Sequence, residues 1–318
     1  MRVLVATDLT AAGDETIRQA AMLAGTTDAL AAVHVVPFLQ PVSALFPQTH
    51  AQEALDESQV TIRLMDAVRA RIARVVGRDA QAFVEQGTHD AEILRRAESW
   101  KADVVVVGSR GQSGSGGALG SVAERIVRGA HCSVLVARAE VPHGGILVAI
   151  DLSKRSLPVV VAAAEQARRR HVALTVAHAV DIWESRDSSL QDLVAAVGVA
   201  RQSEAAPTVA HVLDLTQVEA FFLAGLAAPT DNAPSSHCAA ALDRLTSMLR
   251  AAGETADPKI LEGPAAEAIV GEARRGGADL VVVGSHGSTS LGRLLVGSVA
   301  EEIARSAPCS VLVVRPGI

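Results

Sequence analysis

The sequence predicts an α/β protein built from two tandem doubly wound open sheets, each five-stranded and mostly parallel. Two observations indicate this fold class: the 318-residue chain repeats itself, and short Val and Leu runs alternate with segments of helical spacing. The length fits two domains of roughly 150 residues each. Apolar runs without polar alternation are typical of parallel strands covered on both faces, and the helical segments between them would form the crossovers.

The internal repeat defines the domain organisation. Three segments of the first half return in the second: residues 3–10 (VLVATDLT) as 146–153 (ILVAIDLS), 102–111 (ADVVVVGSRG) as 278–287 (ADLVVVGSHG), and 119–136 as 296–313. The offset between copies grows from 143–144 to 176 across about 32 extra residues in the second half between Ala179 and Gly263, and it reaches 177 because the first half lacks one residue between Gly111 and Gly120. We therefore expect domains at residues 1–142 and 143–318, with an insertion at about 181–255. The HGG sequence that starts the second domain favours a boundary there.

The elements of the first half follow from the alternation of the two patterns along the chain. We expect strands at residues 3–6, 30–36, 82–85, 104–107 and 134–136. We expect helices at residues 15–24, 54–76, 91–100 and 121–128. Their order, strand then helix throughout, is that of a parallel sheet with helices on both faces.

Composition excludes several classes of protein. The net charge of -6 and the scarcity of aromatic residues, five Phe and two Trp with no Tyr, argue against nucleic-acid binding. The three cysteines form no CxxC pair, and the ten histidines show no metal-type spacing, so we expect neither disulfides nor a metal site. The start of the chain does not resemble a signal peptide, and no apolar stretch reaches about 20 residues. These features predict a cytoplasmic protein without a membrane span.

A glycine loop in the second half carries the strongest functional signal. The sequence GSHGSTSLGRLLVGS follows the strand at residues 280–283 and leads into a helical segment. Gly284 and Gly287 permit tight turns, while Gly297 and Ser298 place backbone N–H groups at the mouth of a helix. This arrangement is an anion site, and Arg293 adds a positive charge.

An acid at the end of the first strand of each half is a second candidate. Asp8 and Asp151 follow those strands, where a carboxylate faces the same crevice and accepts hydrogen bonds from ribose hydroxyls or an adenine amine. The alternative is a turn or N-cap residue for the next helix. His34 and His178, at equivalent strand ends, are interpreted as packing or backbone-bonded residues rather than catalysts.

Together these residues resemble the universal stress protein family in its tandem-domain form, over nearly all of both halves. ATP-binding members carry G-x2-G-x9-G-[ST], which Gly284, Gly287, Gly297 and Ser298 satisfy. The resemblance implies an adenine nucleotide alpha hydrolase-like fold, two domains packed as a pseudo-dimer, and a dimer of tandem chains. It also implies that Asp151 and Ala179 contact the adenine and the ribose of the nucleotide. The ATP site is predicted at Asp151, Ala179, Val283, Gly284, Ser285, His286, Gly287, Arg293, Gly297, Ser298 and Val299.

The first half departs from that pattern. Its loop has eight residues between the second and third glycines where the family has nine, and no basic residue stands in the place of Arg293. We expect a weakened or altered second nucleotide site there. Its residues are Asp8, Val35, Gly108, Gly111, Gly120 and Ser121.

Three functions follow from these signals. The favoured one is a cytoplasmic stress-response protein that binds ATP, with or without Mg²⁺, in the second domain and signals its occupancy to an unidentified protein partner. The second is a slow ATPase or another nucleotide-dependent enzyme, although no catalytic residue can be named because no positioned base or nucleophile is evident. The third is a scaffold member of the family that binds no nucleotide. A Walker A lysine and a Rossmann fingerprint after the first strand are both missing.

Overall fold

The computed structural model divides the chain into two compact units, Met1–Arg138 and Ala139–Ile318. It describes the following residues: 1–37, 50–109, 119–138, 144–150, 156–181, 207–214, 258–262, 264–285 and 296–315. Residues 215–226 of the insertion, whose spacing predicts an amphipathic helix, lie outside them.

The first unit is a doubly wound parallel sheet, as predicted. Its elements in chain order are β1 (Arg2–Ala6), α1 (Ala11–Leu23), β2 (Ala29–Val36), α2 (His50–Val76), β3 (Gln81–Gln86), α3 (His89–Ser99), β4 (Val104–Gly108), α4 (Ser121–Gly129) and β5 (Ser133–Ala137). The strand order is β3-β2-β1-β4-β5, and all four neighbouring pairs are parallel. Every predicted strand of this half lies inside an observed one.

The second unit repeats this plan with one strand more. Its elements are β6 (Ile146–Ile150), α5 (Ser156–Arg170), β7 (Leu174–Asp181), β8 (Pro207–Asp214), β9 (Pro258–Glu262), α6 (Ala265–Arg275), β10 (Leu280–Gly284), α7 (Ser298–Ser306) and β11 (Ser310–Val314). The strand order is β11-β10-β6-β7-β8-β9, again with parallel neighbours. Five strands were predicted here, and the described residues contain six. The additional strand, β8, lies within the predicted insertion.

The central strands are buried on both faces, which explains why their sequences lack polar alternation. Val3, Leu4 and Val5 of β1 are completely buried, as are the three residues 280–282 of β10. A parallel sheet covered by helices on both sides removes both faces from water, so each position in such a strand favours an apolar residue. The core thereby holds the carboxyl ends of the strands, where the candidate site lies, in fixed positions.

Helix α1 begins earlier than the predicted residue 15, for a local reason. Thr10 has extended backbone geometry, and its Oγ1 accepts a hydrogen bond from the Gly13 N–H at 3.3 Å. A threonine in this position is an N-cap that satisfies a first-turn N–H group otherwise left without an intrahelical partner. The cap fixes the helix start at Ala11 and positions the segment that joins it to β1.

Candidate functional site

In each unit the strand order reverses at one point, and this point defines a crevice. In the first unit β1 lies between β2 and β4, and in the second β6 lies between β7 and β10. The two strands that meet at this point are β1 and β4 in the first unit and β6 and β10 in the second. The connections that follow these two strands run in opposite directions, which leaves an open groove beyond the carboxyl ends of the strands. The predicted glycine loops follow β4 and β10, directly at these grooves.

Both glycine loops are closed at their base by the same pair of backbone hydrogen bonds. In the first unit Ser109 N–H donates to the Ala137 carbonyl at 2.9 Å, and Gly120 N–H donates to the Ser109 carbonyl at 2.8 Å. In the second unit Ser285 N–H donates to the Val314 carbonyl at 2.9 Å. Gly297 N–H donates to the Ser285 carbonyl at 2.7 Å. The loops therefore leave and rejoin the fold in the same way, and their one-residue difference in length falls between these anchors.

The helices after the loops start with matching geometry. Gly120 is the N-cap of α4 with φ −68° and ψ 148°, and Gly297 is the N-cap of α7 with φ −64° and ψ 149°. Neither glycine can cap the helix with a side chain, and Ser121 and Ser298 are exposed at the first helical position. First-turn N–H groups, together with the positive end of the helix dipole, favour an anion at this position.

Asp8 follows β1, one of the two strands that border the first unit's crevice. Its Oδ1 accepts hydrogen bonds from Thr10 N at 3.0 Å and from Thr10 Oγ1 at 2.6 Å. This is the turn role that the sequence left open, although the N-cap itself is Thr10 and not Asp8. Among the described residues Oδ2 of the half-buried Asp8 has no hydrogen-bond partner.

The backbone around Asp8 is held in an unusual conformation. Leu9 has φ 59°, in the left-handed region that a non-glycine residue seldom adopts. Its N–H donates to Thr7 Oγ1 at 3.2 Å. His34 Nδ1 lies 2.8 Å from the Thr7 carbonyl oxygen, and because a carbonyl only accepts, Nδ1 carries the ring proton. His34 is thus a backbone-bonded residue, as predicted, and it fixes the end of β1.

Gly13 allows helix α1 to approach this turn closely. A Cβ atom on Gly13 would lie 2.7 Å from Asp8 Oδ1 and 3.0 Å from Thr7 Oγ1. The aspartate oxygen cannot yield freely, since it already accepts two hydrogen bonds from Thr10. The sequence pattern did not single out Thr7, Thr10 or Gly13, although a Thr shortly before a helical segment is an N-cap candidate.

We expect Gly13→Ala to destabilise the first domain by about 1 kcal/mol, because an overpacked site forces neighbouring groups to shift. The matched control is Gly271→Ala in α6, where the nearest atom to a new Cβ is Arg275 Nη1 at 3.6 Å. Alanine there should stabilise by about 0.5–1 kcal/mol, the usual gain over glycine in a helix. Urea denaturation of each variant measures both effects. Equal stabilisation by the two substitutions would show that Gly13 has no packing role.

The structure describes most, but not all, of the predicted site residues. Val283, Gly284 and Ser285 lie at the end of β10, with Ser285 fully buried; Val299 in the first turn of α7 is 42% exposed. Ala179 lies on β7. In the first unit Val35 lies on β2 and Gly108 ends β4. Five of the predicted residues lie outside the described part of the chain: Gly111, Asp151, His286, Gly287 and Arg293.

Two further observations concern the part of the chain that the structure describes. Within the described residues, no helix combines the length and the low polarity needed to cross a membrane. No group of three or more His, Cys, Asp or Glu residues in the same part of the chain is arranged to hold a metal ion.

Comparison with known proteins identifies the class. The universal stress protein family model matches residues 1–138 and 144–315. A universal stress protein of Methanocaldococcus jannaschii is 43% identical over 75 residues, which is 24% of this chain and 44% of that protein. The stress response protein NhaX of Bacillus subtilis is 38% identical over 68 residues, 21% of this chain and 41% of that protein. The chain therefore matches less than half the length of each of these relatives.

Two solved structures align with nearly the whole chain. A universal stress protein from Archaeoglobus fulgidus has a TM-score of 0.56 at 17% identity and covers 99% of this chain and 96% of its own. A protein of unknown function from Pseudomonas aeruginosa has a TM-score of 0.52, also at 17% identity, with 99% and 92% covered. The fold and the paired glycine loops define a two-domain α/β protein of the doubly wound type. Because the family model spans both domains, the chain belongs to the universal stress protein family.

Proposed function

We propose that this chain is a cytoplasmic stress-response regulator that binds ATP in its second domain. The observation that supports the site best is the closed base of the second glycine loop, where the Gly297 N–H group bonds to the Ser285 carbonyl. This bond brings the uncapped start of α7 back to the carboxyl end of β10, beside β6. An anion bound there would accept hydrogen bonds from the first-turn backbone N–H groups of α7.

Each part of the ATP would have its own contacts in this arrangement. The loop from Gly284 through Gly287 and Arg293 to Ser298 would hold the phosphates, with Val283 and Val299 beside it. Asp151 would accept from the ribose or the base, as Asp8 could in the first domain. Ala179 would contact the base from β7. Mg²⁺, where present, would be held by phosphate oxygens, since this ion usually retains substrate phosphates among its ligands.

The first domain has the same loop base and the same helix start as the second. We propose a second, weaker nucleotide site there, formed by Asp8, Val35, Gly108, Gly111, Gly120 and Ser121. Its loop is one residue shorter and lacks a counterpart of Arg293, so fewer donors reach the phosphates. We further propose that tandem chains form dimers and that a protein partner distinguishes the ATP-bound from the empty state.

The full-length chain is expected to copurify with an adenine nucleotide. Heating the protein and separating the supernatant by anion exchange would release and identify it, with a Gly297→Val preparation as the control that should carry much less. Absence of nucleotide, together with no heat of binding when ATP is added in a calorimeter, would contradict the proposal. Phosphate release above that of Gly297→Val would instead support the enzyme alternative, and we expect none.

A further inference from the structure

A cavity opens between the ends of helices α1 and α2 in the first unit. Its volume is about 380 Å³, which lies in the range of small-molecule sites. The lining is mostly aliphatic: Ala21 and Met22 belong to the last turns of α1, and Val75 and Val76 end α2. Helix α1 has 13 residues, so its two ends are about 20 Å apart, and the nucleotide crevice of this unit lies at the other end. The cavity is therefore a separate site.

A glycine after α2 places an arginine in the wall of this cavity. Gly77 has φ 72°, in the left-handed region, and its N–H donates to the Ala73 carbonyl at 2.9 Å. A glycine in this conformation ends a helix and satisfies one of its last carbonyl groups. The next residue, Arg78, lines the cavity.

The two arginines of the lining differ in how their charge is balanced. Arg18 donates from Nε and Nη2 to Glu15 Oε2 at 2.9 and 2.7 Å. Arg78 donates from Nη1 to the carbonyl oxygens of Gly25 and Thr26, each at 3.1 Å. Within the described part of the chain, no carboxylate forms an ion pair with Arg78. Its two neutral acceptors hold the guanidinium group in place and leave the positive charge unbalanced.

The other edge of the Arg78 guanidinium group has no protein acceptor. Nε and Nη2 are both buried, and neither has a hydrogen-bond partner among the described residues. These two atoms lie on the same edge of the planar group, where a carboxylate can accept two parallel hydrogen bonds. A buried charged group without acceptors has a high free-energy cost, which an anionic ligand would lower.

The lining of the cavity distinguishes between the anions that suit a guanidinium group. A phosphate monoester carries about two charges at neutral pH and several strongly hydrated oxygens, whereas the cavity has one unbalanced charge and aliphatic walls. A monocarboxylate with an aliphatic tail matches both features, because its tail would remove the walls from water. The carboxylate reaches the shielded Arg78 edge as the wall shifts, and the wall includes Met22, an unbranched side chain that adapts readily.

We propose that this cavity binds aliphatic monocarboxylates, with Arg78 as the residue that pairs with the carboxylate. The ligand class is that of fatty acids whose carboxyl end is free. The inference does not depend on the proposed ATP site, since the two sites share no residue. It gives the first domain a ligand whose chemistry differs from that of a nucleotide.

The test is a titration of the full-length chain with octanoate, followed by ¹H–¹⁵N NMR. Saturable shifts are expected for residues at the ends of α1 and α2. Arg78→Met should weaken octanoate binding at least about tenfold, because it keeps an unbranched apolar side chain and removes the charge. The matched control is Arg69→Met, at an exposed position of α2 outside the cavity, where the affinity should stay within about twofold.

A second variant tests the apolar part of the cavity without altering Arg78. The larger side chain in Ala21→Phe would fill the cavity and should also weaken octanoate binding at least about tenfold. By contrast, 1-octanol, which has the same tail and no charge, should bind the wild type and Arg78→Met equally. ATP binding should be the same in all of these variants, so failure of this inference is distinguishable from failure of the proposed function.

Three results would overturn the inference. The first is the absence of saturable octanoate shifts at the ends of α1 and α2 in the wild type. The second is equal octanoate affinity in the wild type and in either Arg78→Met or Ala21→Phe. The third is inorganic phosphate that binds at the same place as tightly as octanoate, because the cavity would then recognise an anion without its tail.

Discussion

Gly297→Val is expected to weaken ATP binding by the second domain at least about 100-fold, or about 2.7 kcal/mol. The backbone of Gly297, with φ −64° and ψ 149°, lies in the extended region that valine adopts readily, so the helix start can persist. The new β-branched side chain would occupy the space in front of the first-turn N–H groups of α7. Those groups are the proposed phosphate donors, and the variant therefore removes the ligand without removing the fold.

The matched control for this prediction is Gly120→Val. Gly120 has nearly the same N-cap conformation, and its N–H makes the same bond at the base of the first glycine loop. Any loss of stability caused by valine should be similar in the two variants. Calorimetric titration with ATP should show the high-affinity site intact in Gly120→Val. Normal binding by Gly297→Val, or equal losses in both variants, would mean that the phosphate site is not at α7.

The second large effect is expected at a buried ion pair in the second domain. Arg170 Nη1 lies 3.3 Å from Asp279 Oδ2, and the two side chains are only 5% and 6% exposed. We expect Arg170→Met to lower the free energy of unfolding by about 3–5 kcal/mol, because it removes the Arg170 countercharge from a buried carboxylate. Chemical denaturation followed by circular dichroism measures the change.

Two further variants separate charge from packing at this pair. Among the described residues Nε and Nη2 of Arg170 have no hydrogen-bond partner. The free-energy cost of removing this guanidinium group from water is therefore only partly offset by its contacts. Replacing both partners, as in Arg170→Met with Asp279→Leu, should then recover much of the lost stability. Arg305→Ala is the exposed control: its partner Glu301 lies one turn away on α7, and the expected loss is at most about 0.5 kcal/mol. A loss of that size for Arg170→Met would show that the buried pair is not stabilised by its mutual charge.

The sheet of the first domain could be predicted from sequence because burial on both faces leaves a clear pattern. The run of valines at residues 104–107 is typical of a strand that is buried on both faces of a parallel sheet, and the structure has β4 there. The helix starts were less certain, since they depend on single capping bonds. Thr10 moves the start of α1 to Ala11, a local effect that the apolar periodicity does not contain.

The extra strand of the second domain was missed for a different reason. Comparing the two halves reveals offsets of 143 to 177, while the spacing of 33 between TVAH at residues 175–178 and at 208–211 lies within one half. A search for short-period repeats would have found it. The left-handed backbone of Leu9, by contrast, has no sequence signal, because leucine is disfavoured in that conformation and only the surrounding hydrogen bonds impose it.

Photolabelling with 8-azido-ATP, followed by mass spectrometry of the peptides, tests the central claim most directly. The reagent attaches covalently beside the bound base, so the labelled peptide identifies the domain and the strand ends that hold the nucleotide. We expect the label in peptides from the second domain that contain the carboxyl ends of β6, β7 or β8, and we expect unlabelled ATP to suppress it. Label confined to the first domain, or label that ATP does not displace, would contradict an ATP site in the second domain.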